Sequence, residues 1–105
     1  MLMAIIEYEL NPGHDSEYLG LIEMLAPHLE QIDGFLSADA ATSLQREGRQ
    51  YEISYWRDAE ALTAWSNESH HQKAKAVGRE KILKWYRITI GAVERDWEVG
   101  TPGAT

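Results

Sequence analysis

The residues best suited to chemistry are one histidine and two tryptophans in the second half of the chain, His70, Trp56 and Trp65. A histidine has an ordinary pKa of about 6.5, so it can accept a proton near neutral pH. His70 is therefore the candidate general base, and a surface or helix-capping position is its alternative. Trp56 and Trp65 could either hold a flat aromatic ligand or fill the hydrophobic core.

A second group of polar residues is predicted to lie beside Trp56, on the helix side of a sheet. Strict alternation over 50–57 places Glu52 and Ser54 on the face of Trp56, and Tyr8 of the first strand is predicted to join them. Glu52 either acts as a second base, pairs with Arg87 of the last strand, or is exposed at a strand edge; we favour exposure. Arg87 could reach a cleft and stabilise an anion. These four residues are the candidate substrate-binding groups.

The four histidines do not suggest a metal site. His70 and His71 are adjacent on a predicted helix, so their side chains diverge by about 100°. His14 and His28 belong to the first helix or its start. The sequence therefore predicts no bound metal.

The elements that position these residues follow from hydrophobic periodicity and turn signals. An apolar stripe predicts a helix that begins near His14–Ser16, is capped by Asp15 or Ser16, is kinked or broken at Pro27, and ends before Gly34. Gly91 could mark a bulge in the last strand. The predicted strands cover residues 2–10, 35–44, 50–57 and 84–97, and two further helices cover residues 59–65 and 68–81.

This order of elements predicts an α+β fold of the ferredoxin-like, split β-α-β type, with a four-stranded antiparallel sheet and helices on one face. The first and third strands carry large residues on both faces, for example Met3 and Ile53 against Ile6 and Trp56. An apolar face that the helices leave uncovered needs another partner. We therefore expect a homodimer in which two sheets pack face to face as a barrel.

Composition limits the possible functions. The chain has 105 residues, and we expect one domain over 1–99 and a flexible tail over 100–105. Its net charge of −7 argues against nucleic-acid and anionic-membrane partners. The absence of cysteine excludes thiol catalysis and Cys-ligated metals. No apolar run is long enough to span a membrane, and the start lacks the features of a signal peptide, so a cytoplasmic location is expected.

From residue 53 onward the chain resembles a known family. The residues that carry the resemblance are Ile53-Ser-Tyr-Trp-Arg-Asp, Ala61-Leu62-Thr-Ala-Trp65, Ser69-His70, Gly78-Arg79, Trp85-Tyr86-Arg87 and Val93-Glu94-Arg95-Asp96, together with Ile32-Asp33-Gly34-Phe35. In this order they are similar to the antibiotic biosynthesis monooxygenase (ABM) family of the dimeric α+β barrel superfamily.

The resemblance implies a small monooxygenase that uses oxygen without a flavin, metal or other cofactor, acting on a quinol or a polyketide-like phenol. On this hypothesis His70 takes a proton, Trp56 and Trp65 hold the ring, and Arg87 favours the anion. A non-catalytic module that binds a small aromatic ligand is the alternative, and a haem-binding or haem-degrading protein is a further one.

The match to individual family members is incomplete. Members that make polyketide quinones have an asparagine four residues before the strand tryptophan, where this chain has Glu52. Haem-degrading members have an asparagine near the position of Ile6 and an axial histidine near the position of Lys75. These departures argue against haem cleavage by that route and leave part of the oxygenase site missing.

Overall fold

The computed structural model of the chain describes residues 1–103. Ala104 and Thr105, the end of the predicted tail, lie outside the described residues. Among the described helices, none combines the length and the apolar character needed to cross a bilayer. The elements are β1 (Leu2–Leu10), α1 (Asp15–Glu30), β2 (Phe35–Thr42), β3 (Gln50–Trp56), α2 (Ala59–Asn67), α3 (Ser69–Val77), a π-helical turn (Gly78–Ile82) and β4 (Leu83–Ala92).

The four strands form one sheet in the order β2-β3-β1-β4, and all neighbouring strands are antiparallel. This is the predicted ferredoxin-like α+β fold. The last strand ends at Ala92 and not at residue 97, and the irregularity in its pairing falls at Glu9/Leu10 of β1 and not at Gly91. Those two details of the prediction were wrong.

The register assigns the residues of β1, β3 and β4 to two faces. Ile6 pairs with Glu52 on one side and with Ile88 on the other, and directly paired residues of antiparallel strands share a face. Tyr18 of α1 donates a hydrogen bond to Glu52, so this is the face that the helices cover. The opposite, open face carries the pairs Met3–Tyr55 and Ile5–Ile53.

The observed helix ends can be compared with the predicted ones. The predicted cap of α1 was wrong, because its N-cap is His14 and no side chain caps the helix there. The helix continues through Pro27 to Glu30, since a proline in the last turn removes only one hydrogen bond. Asp58 caps α2, accepting from the Ala61 amide at 2.9 Å, as predicted.

The helix predicted over residues 68–81 is divided into α3 and a π-helical turn. Glu68 separates α2 from α3 and caps α3, and a π-helical turn follows α3 at Gly78. Asn11, in the turn after β1, holds this turn: its backbone amide donates to the Ile82 carbonyl at 2.8 Å and its side chain donates to the Lys81 carbonyl at 3.0 Å. The turn therefore joins α3 to β4 at a fixed position beside β1.

The core lies between the helices and one end of the sheet. A cluster of three buried residues forms its centre: Ala4 of β1, Trp56 of β3 and Ala61 of α2. Six partly buried side chains pack around them: Leu2, Leu29, Ile32, Phe35, Leu62 and Trp65. The apolar stripe of α1 and the alternation of β3 thus meet at Trp56.

Replacing Gly34 with alanine should destabilise the fold. Gly34 has φ of 92°, and a Cβ atom there would lie 2.7 Å from the Ala61 Cβ. The backbone conformation alone costs a non-glycine residue about 1–3 kcal/mol. Urea unfolding should show at least this loss, whereas Gly20→Ala in α1, where a Cβ meets nothing within 4 Å, should be neutral or stabilising. Equal stability of the two variants would contradict the packing described at Gly34.

Candidate functional site

Trp56 is a core residue. It is 1% exposed, and its ring meets Phe35 edge-on at a centroid distance of 5.3 Å. Its indole Nε1 donates to the Ser54 hydroxyl at 2.9 Å. In this position Trp56 cannot touch a ligand, and the Ser54 hydroxyl already accepts a hydrogen bond from within the protein.

Trp65 is placed differently and forms a stacked pair with His71. The ring centroids are 4.2 Å apart and the planes differ by 13°. Trp65 packs against the core on one side, and both rings are partly exposed. The imidazole covers one face of the indole and the core lies on its other side, so a ligand can meet this pair only at its exposed ring edges or at the outer face of His71.

The contacts of His71 define which nitrogen is basic. The His71 Nδ1 lies 2.9 Å from the Trp65 carbonyl oxygen, which can only accept, so Nδ1 carries the hydrogen. In the neutral ring the lone pair is then on Nε2. Burial, aided by the positive charge of Lys75, lowers the pKa of His71, so the ring is neutral at neutral pH. His71 thus has the properties of a general base.

Lys75 also holds α3 in place relative to α2. Its ammonium group donates to the Ser66 carbonyl at 2.8 Å and to the Ser66 hydroxyl at 3.1 Å. Because Lys75 lies one helical turn after His71, this contact fixes the helix face that carries the imidazole. Two hydrogen bonds therefore orient the Trp65–His71 pair, one from His71 to the Trp65 carbonyl and one from Lys75 to the Ser66 carbonyl.

His70, the histidine singled out from the sequence, points elsewhere. Its ring stacks on His28 of α1 at a centroid distance of 3.8 Å, and its Nδ1 lies 2.7 Å from a carboxylate oxygen of Glu68. Its side chain is about half exposed. The predicted divergence of His70 and His71 is present, but His71 is the member that meets Trp65.

A polar network lies further along the same face of the sheet. Tyr18 of α1 donates a hydrogen bond to Glu52, and the Tyr18 ring lies 4.8 Å from the buried Tyr8 ring. The favoured expectation that Glu52 is exposed at a strand edge was wrong, because β3 is an interior strand and α1 covers this position.

Burial shifts the pKa values of this network upward. It raises the pKa of Glu52 more than the hydrogen bond from Tyr18 lowers it. The pKa values of Tyr18 and Tyr8 are raised by burial and by the neighbouring Glu52 charge. Both phenols therefore stay protonated at neutral pH, and Glu52 is a weaker acid than an exposed glutamate.

Arg87 lies on the other side of the sheet. It pairs with Glu7 of β1, whereas Ile6 and Glu52 occupy the helix-covered face. A side chain on the open face cannot stabilise an anion held under the helices, and it cannot pair with Glu52. The structure thus separates Arg87 from the other predicted substrate-binding residues.

The helices leave part of their own face of the sheet uncovered. Ile88 and Ile90 of β4 lie beside Ile6 and Ala4, yet they are 55% and 54% exposed. An apolar strip on this edge strand is therefore open to solvent next to the buried core. It lies on the same face of the sheet as Ala4 and Trp56, which belong to the cluster against which Trp65 packs.

The sequence did not identify His71, Tyr18 or the exposed strip of Ile88 and Ile90 as members of the site. Tyr18 belongs to the apolar stripe of α1, and Glu52 is on the same face as Trp56, so their contact follows once α1 is placed over β3. The choice between His70 and His71 depends on the rotation of a helix whose start is set by Glu68. A helix polar on most of its surface gives no hydrophobic signal for that rotation.

Comparison with known proteins identifies the family. The family model described as "Antibiotic biosynthesis monooxygenase" matches residues 1–77. The chain belongs to this family. The resemblance to this family that the sequence showed from residue 53 onward is thereby confirmed.

A relative of known sequence agrees with this assignment. The chain is 33% identical over 93 residues to a protein of Pyricularia oryzae named "Jasmonate monooxygenase ABM"; this covers 89% of the chain but only 43% of that relative. The chain thus spans less than half of that protein's length.

Solved structures confirm the fold. The structure of Rv0793 from Mycobacterium tuberculosis has a TM-score of 0.81 at 18% identity, covering 92% of this chain and 98% of that one. The crystal structure of an antibiotic biosynthesis monooxygenase has a TM-score of 0.77 at 18% identity, covering 90% and 100%.

Proposed function

We propose that this ABM-family protein is a cofactor-independent monooxygenase that acts on a hydroxylated aromatic, such as a quinol or a polyketide-like phenol. The observation that carries the proposal is the His71 imidazole stacked on Trp65 with its Nδ1 at the Trp65 carbonyl, which leaves Nε2 as the nitrogen that can accept a proton. A base beside an aromatic side chain is suited to binding and ionising a phenol. The named monooxygenase relative supports the reaction class.

On this proposal each residue group on the helix-covered face has a role. The substrate ring lies beside the exposed edge of the Trp65–His71 pair and over the strip of Ile88 and Ile90, which shields one side of the ring from water. His71 Nε2 takes the phenolic proton, and the resulting anion is electron-rich enough to give an electron to oxygen. Glu52 and Tyr18 supply polar atoms on the same face of the sheet.

The reaction balances without an added reductant. One oxygen atom enters the ring, the other leaves as water, and the substrate supplies both hydrogens of that water. For a naphthoquinol the product is a hydroxynaphthoquinone. A protein that follows this course needs no flavin, metal or haem, because the substrate itself is oxidised.

Product analysis tests the assignment. A reduced naphthoquinol is incubated with the protein under isotopically heavy oxygen, and the product is analysed by mass spectrometry. A monooxygenase should yield hydroxynaphthoquinone that carries one heavy oxygen atom. Unlabelled naphthoquinone formed faster than by autoxidation, without labelled product, would identify a quinol oxidase and contradict the proposed oxygen insertion.

A non-catalytic module that binds a small aromatic ligand is the second candidate. It is favoured by the fact that Tyr8, Ser54 and Trp56 are all engaged in packing or internal hydrogen bonds. Titration with oxidised naphthoquinone, followed by tryptophan fluorescence, measures binding alone. Saturable quenching without protein-dependent oxygen consumption would favour the module over the enzyme.

The open face of the sheet supports a further part of the proposal, a homodimer. The pairs Met3–Tyr55 and Ile5–Ile53 form an apolar centre on the face without helices, and they are partly exposed in the single chain. A second copy related by a two-fold axis would cover this centre and remove apolar surface from water.

Light scattering of the purified protein at micromolar concentration should give about twice the chain mass of 11.9 kDa. Ile53→Glu should shift the protein toward the monomer, because it places a charge at the apolar centre. Thr63→Glu, at an exposed position of α2 on the other side of the sheet, is the control and should remain dimeric. A monomeric wild-type protein would overturn this part of the proposal.

A further inference from the structure

A histidine of α1 meets a glutamate and a histidine from the start of α3 at the surface where the two helices pass each other. His28 lies in the last turn of α1, His70 in the first turn of α3, and Glu68 directly before α3. One ligand atom from each residue lies within 4.8 Å of the others. The two imidazole rings stack at 3.8 Å, so residues 42 positions apart in the chain are neighbours.

We propose that His28, Glu68 and His70 form a binding site for a divalent transition-metal ion of the zinc type. Two imidazole nitrogens and one carboxylate oxygen are a common protein ligand set for such ions, which they bind at about 2.0–2.2 Å. Nitrogen donors disfavour calcium and magnesium, which prefer oxygen ligands. Water completes the coordination, because His70 is exposed.

The side chains can reach an ion without unfolding either helix. In the stacked arrangement the two rings are nearly parallel, with 13° between their planes. Each ring must turn about its side-chain bonds to aim a nitrogen at a shared ion. Because the His70 side chain is about half exposed, it has room to turn.

Glu68 can serve as a ligand while continuing to cap α3. Its Oε2 accepts from the His71 amide at 3.0 Å, while its Oε1 accepts from the His70 amide at 3.0 Å and lies 2.7 Å from the His70 Nδ1. Binding through Oε1 therefore leaves the hydrogen bond from the His71 amide in place. The ion would link α1 to the start of α3, one residue before the proposed base.

A second histidine–glutamate pair in the same protein provides the control. His14 Nδ1 lies 2.9 Å from a Glu17 carboxylate oxygen, a contact like that of His70 and Glu68. His14 belongs to no cluster of three ligand groups among the residues that the structure describes. If one histidine and one carboxylate were enough, both places would bind equally well.

The test is calorimetric titration of the tag-free protein, stripped with EDTA and dialysed, with zinc chloride. We expect one ion per chain, and His28→Ala and His70→Ala should each weaken binding by at least about tenfold. His14→Ala should bind like the wild type. Circular dichroism of each variant confirms that the helices remain.

Cobalt provides a second measurement, which reports the ligands of the bound ion and not only the binding affinity. Visible absorption of the cobalt-loaded protein reports the ligands, and it should change in Glu68→Gln as well as in the two histidine variants. No zinc binding by the wild type, or undiminished binding by His28→Ala, would overturn the proposal. Neither result bears on the proposed oxygenase, because both measurements are made without substrate.

Discussion

Replacing His71 with alanine should lower the turnover of a hydroxylated aromatic substrate by about 10²–10⁴-fold, the usual contribution of a general base. The folded structure should survive, because His71 lies at the edge of the core and α3 is also held by Glu68 and Lys75. The fall should appear mainly in kcat, since Trp65 still binds the ring. Steady-state kinetics with circular dichroism of each variant gives this result.

His71→Asn separates the base from the hydrogen bond. An asparagine amide can still donate to the Trp65 carbonyl but cannot accept a proton at neutral pH. It should therefore be as impaired as His71→Ala, while His14→Ala should keep wild-type turnover. Full activity in His71→Asn would show that His71 positions Trp65 and is not the base.

The pH profile of the wild type provides an independent reading of the same group. A base must be neutral to accept a proton, and burial lowers the pKa of His71 below its ordinary value. The acid limb of kcat/KM, which reports the free protein, should therefore fall at a pH below about 6.5, the ordinary value for histidine, and kcat/KM should be constant above it. An acid limb well above this value would indicate another group.

Replacing Trp56 with alanine should reduce the free energy of unfolding by about 3–5 kcal/mol, the range seen for buried tryptophan. Trp56 is 1% exposed and packs with Ala4 and Ala61 at the centre of the core. A domain of this size has a total stability of about 5–15 kcal/mol, so this loss is a large fraction of the stability and removes all of it at the low end of that range. Urea unfolding of both proteins measures the loss.

Trp97→Ala is the matched control for this prediction. Trp97 is 76% exposed and follows the last strand, so its loss should change the stability by no more than about 0.5 kcal/mol. If Trp56→Ala were as stable as Trp97→Ala but lost turnover, Trp56 would contact the substrate. That result would restore the role that the family resemblance implied for it.

The fold could be predicted from the sequence because its signals are local. Alternation over Gln50–Trp56 identifies the face of Trp56, and Asp58 is a clear helix cap. The cap of α1 was missed because Asp15 and Ser16 are plausible caps, and their neighbours do not show that the helix begins after His14.

The candidate site was only partly predictable, because its members meet through long-range contacts. Arg87 and Ile88 are adjacent in the chain, and only the register of β4 against β1 decides which one shares a face with Glu52. His70 and His71 differ by one position on a helix, and contacts with His28 and Trp65 decide their directions. The spacing of residues along the chain therefore predicts neither the face on which Arg87 lies nor the directions of His70 and His71.

Oxygen uptake by the purified protein tests the central claim most directly. The protein is treated with EDTA, given a reduced naphthoquinol without added flavin, metal or haem, and compared with autoxidation in its absence. We expect a protein-dependent rate that saturates with substrate and is lost in His71→Asn. A rate equal to autoxidation, together with saturable binding of the oxidised naphthoquinone, would contradict the oxygenase and identify a ligand-binding module.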